Sequence, residues 1–257
     1  MIKKNIRMRK DYLYAKSQES KEQMAQDKRF KMKNALDNDR TVPTELFKEK
    51  AAVAHDLDLA DKSTMIARSH IDDEYEDAKF RNPKILVTTS RSPSQRLIIF
   101  QKELKLIVPN ATRVNRGSYV LKDLVKICQT NNFTDLVMVH ETRGEPDGLI
   151  ISHMPYGPTT YFGLSNVILR HDLKEKVDPV SEAYPHLIID NFKTKLGDRI
   201  SDVLKHIFPM PKIDTKRIVS LSNRDDFISF RHHLYRKPEF NQVETKELGP
   251  RFEMKPY

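Results

Sequence analysis

Residues 83–117, PKILVTTSRSPSQRLIIFQKELKLIVPNATRVNRG, constrain the fold more than any other stretch of the chain. Ile85, Leu86 and Val87 form a short apolar strand, and Thr88–Ser94 follows as a polar loop. Ser92 is a good N-cap and Pro93 suits the first helical position, so a helix should start there. Leu97, Phe100, Leu104, Ile107 and Val108 then recur at helical spacing, and Pro109 with Asn110 ends the helix. Ala111–Gly117 reads as a second strand, a basic one bearing Arg113 and Arg116. Free N–H groups, hydroxyls and Arg91 at the helix start would suit a phosphate, although a helix N-terminus that binds only water is the commoner case.

The same order of elements returns later in the chain. Leu187–Asn191 is an apolar strand, and Leu196, Ile200, Val203, Leu204, Ile207 and Phe208 form a helical stripe that Pro209 ends. The spans Ile85 to Pro109 and Leu187 to Pro209 are nearly equal, and each copy runs on into a basic strand, the second being Lys216–Leu221. Between them Val120, Leu121, Leu124, Val125 and Cys128 mark another amphipathic helix. Leu136–His140 and Leu149–His153 read as strands joined by a turn over Thr142–Gly148, and Thr159–Leu169 as a third. Ser222–Asp225 turns the chain into Phe227–Arg236, where alternation places Ile228, Phe230 and His232 opposite Arg231, His233 and Tyr235. Lys246–Met254 reads as a last strand. The class is α/β.

Residues 1–40 contain neither proline nor glycine and should be helical, but Ile2, Ile6, Leu13, Met24 and Phe30 give only a thin apolar stripe. Such a helix is marginal without a partner surface. A short helix is expected after Pro43, and the acidic run Asp72–Asp77 reads as solvated linker. The domain division predicted is 1–82 as a helical and acidic arm and 83–257 as the main domain, with halves 83–171 and 185–257.

Charge and cysteine usage narrow the function. The net charge of +9 is uneven: residues 1–40 carry +6, residues 41–80 carry −5 and residues 81–257 carry +8. A folded part with that surplus favours polyanion partners, because counterions displaced from phosphate drive association; charge that only aids solubility is the competing reading. Cys128, the one cysteine, excludes a disulfide within the chain and reads as a small core side chain. A Cys-x5-Arg phosphatase loop is missing, since Thr134 stands where the arginine belongs. The nine histidines are dispersed, His232 and His233 point to opposite strand faces, and seven glycines include no phosphate-cradling loop. No metal, cofactor, small-molecule substrate or catalytic role is expected, and no apolar run is long enough to span a membrane.

The ordered series ILVTTSRSPSQRL, NATRVNRGSYVLKDL, TDLVMVHETRGEPDGLIISHMPYGPTTYF and GPRFEM resembles the Brix-domain family. The opening RMRKDYLYAKSQE and the segment PHLIIDNFKTKLGDRISDVLKHIF extend that resemblance over most of the chain. It implies two similar α/β halves like anticodon-binding domains, preceded by extended N-terminal helices. It also implies an RNA-binding role in ribosome assembly, in the nucleus and nucleolus. The nearest branch implies the U-three small nucleolar RNA and pre-ribosomal RNA as RNA partners. Its protein partners would be an M-phase phosphoprotein and a small ribosomal-protein-like component. A large-subunit assembly factor and a protein–protein scaffold are the alternatives.

The candidate RNA contacts are Arg91, Arg96, Arg113, Arg116, Lys193, Lys195, Arg199, Arg231 and Arg236, expected to form one basic face near the sheet centre. Each has a bland reading as solvated surface charge. With few aromatic residues among them, backbone recognition should outweigh base stacking.

Overall fold

The computed structural model describes residues 2–37, 41, 44–46, 74–75, 78, 81–173, 177–211, 215–236 and 243–257. Residues 1–81 and 82–257 form two compact units. In the first, α1 runs Ile2–Asp37. Its Ile6, Leu13, Met24 and Phe30 are exposed, as the thin stripe predicts. A 3-10 turn at Thr44–Leu46 lies where a short helix is expected. Most of the acidic run 72–77 lies outside the described residues.

The second unit begins with β1 (Ile85–Thr89), α2 (Gln95–Ile107), β2 (Ala111–Arg113) and α3 (Leu121–Thr130). An antiparallel meander follows: β3 (Asp135–Thr142), β4 (Glu145–His153) and β5 (Thr159–Ile168). After a 3-10 turn at Arg170–Asp172 come β6 (His186–Asp190), α4 (Lys195–His206), β7 (Arg217–Arg224), β8 (Phe227–Arg236), β9 (Glu244–Glu247) and β10 (Arg251–Pro256). All ten strands join one mixed sheet in the order β2-β1-β3-β4-β5-β10-β8-β7-β6, with β9 paired to β8. The halves therefore meet through the antiparallel pair β5–β10, not through separate sheets.

Each half contains a parallel strand pair, β1 with β3 and β6 with β7, whose inner strand continues into a two-residue hairpin. Both hairpins turn on two residues with positive φ: Arg143 (55°) and Gly144 (82°), then Asp225 (51°) and Asp226 (64°). That is the type I′ geometry that matches strand twist. It corrects the longer turn predicted over 142–148. It also corrects how the repeat aligns. β7 sits between β6 and β8 and so matches β3, whereas β2 lies outside β1 at the sheet edge and has no counterpart in the second half. The expected last strand Lys246–Met254 is two strands, β9 and β10.

Cross-strand register places Val87, Val139, Leu149, Phe162, Met254, Ile228, Phe230 and Leu221 on one face, all buried. Helix α2 covers this face across the junction of the halves. The Phe100 ring meets Phe252 edge-on at 5.5 Å, and Phe252 stacks on Phe230 at 4.5 Å. Leu97, Phe100, Leu104 and Ile107 are buried, as their spacing requires. On the opposite face Leu86 and Leu136 pack with Cys128 of α3. Burial pushes the Cys128 thiol up to about 11, in keeping with a core side chain. Val120, Leu121 and Leu196, expected on apolar stripes, are instead exposed.

Polar contacts lock α2 in place. Gln101 donates to the Val87 and Val114 carbonyls, and buried Glu103 accepts the Arg170 N–H. At the C-terminal end, the Arg217 guanidinium donates to the Leu106 and Ile107 carbonyls, 3.1 Å each. The same side chain donates to the Ser181 and Ala183 carbonyls, 2.8 Å each, and to His232 Nε2 at 3.3 Å. Arg217 is 1% exposed. A residue that reads as part of a basic strand is thus an internal clamp between the halves.

Candidate nucleic-acid interface

The start of α2 is not an open anion site. Ser94, not Ser92, is the N-cap, with its hydroxyl accepting from the Leu97 N–H. The Glu141 carboxylate accepts from the Ser94 N–H at 2.7 Å and from the Ser94 hydroxyl. A carboxylate of the chain itself therefore fills the position where a phosphate is expected, as the helix dipole favours.

The nine candidate residues separate into distinct settings. Arg96 lies 2.9 Å from Glu145 and 3.5 Å from Asp172. Arg231 donates to the Phe230 and Phe252 carbonyls and lies 3.8 Å from Glu253. These two charges are largely answered within the fold. Arg116 is off the strand, which ends at Arg113, and is buried rather than presented. Lys193, Lys195 and Arg199 are exposed around the start of α4, and Arg236 is exposed at the end of β8. Arg91 is exposed beyond β1.

They do not form one face. Following the pairings across the sheet, β6 runs opposite to β1. The loop carrying Arg91 and the loop carrying Lys193 therefore leave from opposite ends of the strands. A shared basic surface near the sheet centre is corrected to separate basic stations.

One station lies at the β2 edge. Lys102 and Lys105 of α2, with Leu106, Arg113 and Asn115, line a recess of about 560 Å³. Arg113 Nη2 donates to Asn115 Oδ1 at 2.8 Å, which fixes the guanidinium along the wall. Among the described residues no carboxylate pairs with Lys102, Lys105 or Arg113. Leu106 is 48% exposed and gives the recess an apolar floor. Three uncompensated cations around a concavity suit a phosphate backbone, which needs positive charge at several successive points. Sequence reading passed over Lys102 and Lys105 because lysines on the outer face of an amphipathic helix look like solvated charge. Their three-residue spacing puts both on one side of α2, and the edge strand packed beside the helix supplies the third cation.

No group of three or more metal-ligating side chains comes together among the described residues. Nor is any described helix long and apolar enough to cross a membrane.

One mixed α/β sheet with helices packed on it defines the class of the fold, and comparison gives the family. A Brix-domain model matches residues 90–257, and this chain belongs to the Brix-domain family. The chain is 48% identical to the U3 small nucleolar ribonucleoprotein protein IMP4 of Bos taurus, over all of this chain and 88% of the relative. The human protein of that name is 47% identical with the same coverage. The Schizosaccharomyces pombe protein is 44% identical over 99% of this chain and 89% of its own length. Among solved structures, a probable ribosomal biogenesis protein from Aeropyrum pernix K1 aligns with TM-score 0.52 and 20% identity. The alignment covers 67% of this chain and 96% of that one, and shows the fold.

Proposed function

We propose that this chain is a non-catalytic RNA-binding ribosome-assembly factor of the small-subunit processome. In this reading it acts in the nucleolus, holds the U3 small nucleolar RNA and promotes its pairing with pre-ribosomal RNA. The observation that carries RNA binding is the recess of Lys102, Lys105 and Arg113, whose charges have no carboxylate among the described residues. The assignment to the U3 particle rests on 44–48% identity running along essentially the whole chain to proteins of that name. Within the sheet unit, Arg91, Lys193, Lys195, Arg199 and Arg236 are exposed and Arg113 lines the recess, so these are the candidates placed to meet phosphate. Arg96 and Arg231 serve chiefly to brace the fold.

The protein partners fall to the N-terminal unit. Helix α1 leaves Ile6, Tyr12, Leu13, Tyr14 and Met24 exposed, apolar surface that suits a protein partner. An M-phase phosphoprotein and a small ribosomal-protein-like component are the partners proposed for it. Crosslinking of the protein to RNA in cells, read by sequencing, tests the whole assignment. Recovery of U3 and pre-ribosomal RNA is expected. Recovery of large-subunit rRNA alone would replace it with a large-subunit role, and recovery of no RNA would leave only the scaffold.

A further inference from the structure

A second, different kind of cationic site lies on the α3 face of the sheet, at the carboxyl ends of the parallel strands β1 and β3. The β2–α3 connection carries Arg116 back over this face, where its Nη1 lies 3.6 Å from the Met138 sulfur. Arg116 is only 8% exposed, and its Nε is buried with no hydrogen-bond partner. A thioether is a weak acceptor and offers no charge. The charge acting on it is unfavourable: burial first, and the Arg91 guanidinium second, lower the Arg116 pKa. A buried guanidinium that feels a second cation, with no carboxylate paired to it among the described residues, costs free energy until an anion enters.

The groups around Arg116 are the ones an oxyanion needs. Thr88 pairs with Met138 in the β1–β3 register, so both point to this face. The Thr88 hydroxyl is fully buried and has no partner. His140 follows Met138 on the same side of β3, about 7 Å along the strand, and its Nε2 is likewise buried and unpartnered. Arg116 Nε, the Thr88 hydroxyl and His140 Nε2 are therefore three buried polar groups without a partner on one face of the sheet, and Arg91 is exposed beyond the end of β1. Carboxyl ends of parallel strands are a general location for ligands in α/β sheets. Gly117, with φ +52°, makes the turn just after Arg116, and a side chain there would strain the backbone that holds the arginine in place.

We infer that Arg116, Arg91, Thr88 and His140 form a phosphate-binding pocket, distinct from the recess at the β2 edge. Its occupant is a phosphodiester of the bound RNA; this choice of occupant rests on the RNA-binding reading above, while the pocket itself does not. Arg91 meets the phosphate at the mouth, and Arg116 and Thr88 grip it from within. Arg113 lies three residues before Arg116 in the chain, so one strand of RNA passing the edge of β2 would meet the recess first and the pocket next.

The test uses the full chain and inorganic phosphate as probe, with chloride at matched ionic strength as control. Phosphate should raise the unfolding temperature with the logarithm of its concentration once above its Kd, by roughly 5 °C at a hundredfold excess. Arg116→Gln and Thr88→Val should remove most of that rise. In chloride, Arg116→Gln should unfold no lower than the parent chain, because the unanswered charge is gone. A phosphate effect no larger than that of chloride, or equal in parent and variants, overturns the pocket. If Arg116→Gln fails to fold, Thr88→Val and Arg91→Ala decide on the same readout.

A second arm reads the occupant. Arg116→Gln should weaken binding of a short single-stranded RNA about tenfold and lower the salt slope of log K by about one. An unchanged RNA affinity, with the phosphate rise lost, overturns the RNA occupant and leaves a site for another anion. Absence of RNA binding by the parent chain is failure of the functional reading instead, and the phosphate titration still decides the pocket.

Discussion

Removing the Arg217 guanidinium gives the strongest test of how the two halves are held together. The side chain makes five hydrogen bonds: two to the end of α2, two to the Ser181–Ala183 segment and one to His232. In Arg217→Met the buried Ile107 carbonyl and His232 nitrogen, and three part-buried carbonyls, lose their donor. Leaving a buried polar group unsatisfied costs about 1–3 kcal/mol, and partial relaxation or water entry recovers some of it. Removing one side of a buried charge network typically costs about 3–5 kcal/mol, so we expect about 4 kcal/mol. Burial, with Arg170 next, holds the Arg217 pKa down to about 10, so the group remains charged at neutral pH and the α2 dipole answers it. For a domain of this size the melting temperature should drop by roughly 10 °C. Arg217→Lys has three donors and cannot span both carbonyl pairs, so it should fall about midway. Urea unfolding followed by circular dichroism measures both variants. A loss below about 1 kcal/mol in Arg217→Met would refute the clamp.

Three further outcomes are expected. His232 donates from Nδ1 to the Gly249 carbonyl and accepts from Arg217; burial chiefly, helped by the nearby arginines, pushes its pKa down to about 4. Its contribution is therefore intact above the unfolded value near 6.5 and declines as pH falls toward 4, by about 3 kcal/mol in all. His232→Gln should lack that decline, and parallel stability curves for parent and variant between pH 7 and 4 would count against it. Deleting residues 1–80 should leave the sheet unit folded while abolishing capture of the protein partners; loss of the native circular dichroism spectrum would show that the arm belongs to the core. Glu141→Gln should destabilise the start of α2 by about 1 kcal/mol without raising RNA affinity. A gain in affinity there would mean that the helix end competes for phosphate after all.

Much of the framework could be read from local pattern. The apolar spacing of Leu97, Phe100, Leu104 and Ile107 located α2, and strict alternation put Ile228, Phe230 and His232 inward on β8. What local pattern cannot carry is partner choice over long separations. Ser92 and Ser94 are equally good caps by type; Glu141, remote in sequence, selects Ser94. Arg113, Arg116 and Arg217 look alike in a basic stretch, yet one lines a recess, one is buried beside Met138 and one clamps α2. Their difference comes from β2 stopping at the sheet edge and β7 lying inside it. The spread of the candidate cations has the same origin, because the reversal between β1 and β6 exists only once the strands are ordered.

The salt dependence of RNA affinity tests the central claim most directly. If about six phosphate contacts form, binding should weaken roughly a thousandfold between 50 and 200 mM salt. A chain carrying Lys102→Ala, Lys105→Ala and Arg113→Ala together should lose about three from the slope of log K against log salt while melting like the parent. A steep parent slope reduced by that amount is the predicted result. A flat parent slope, or a slope that the three substitutions leave unchanged, would contradict RNA binding through the recess.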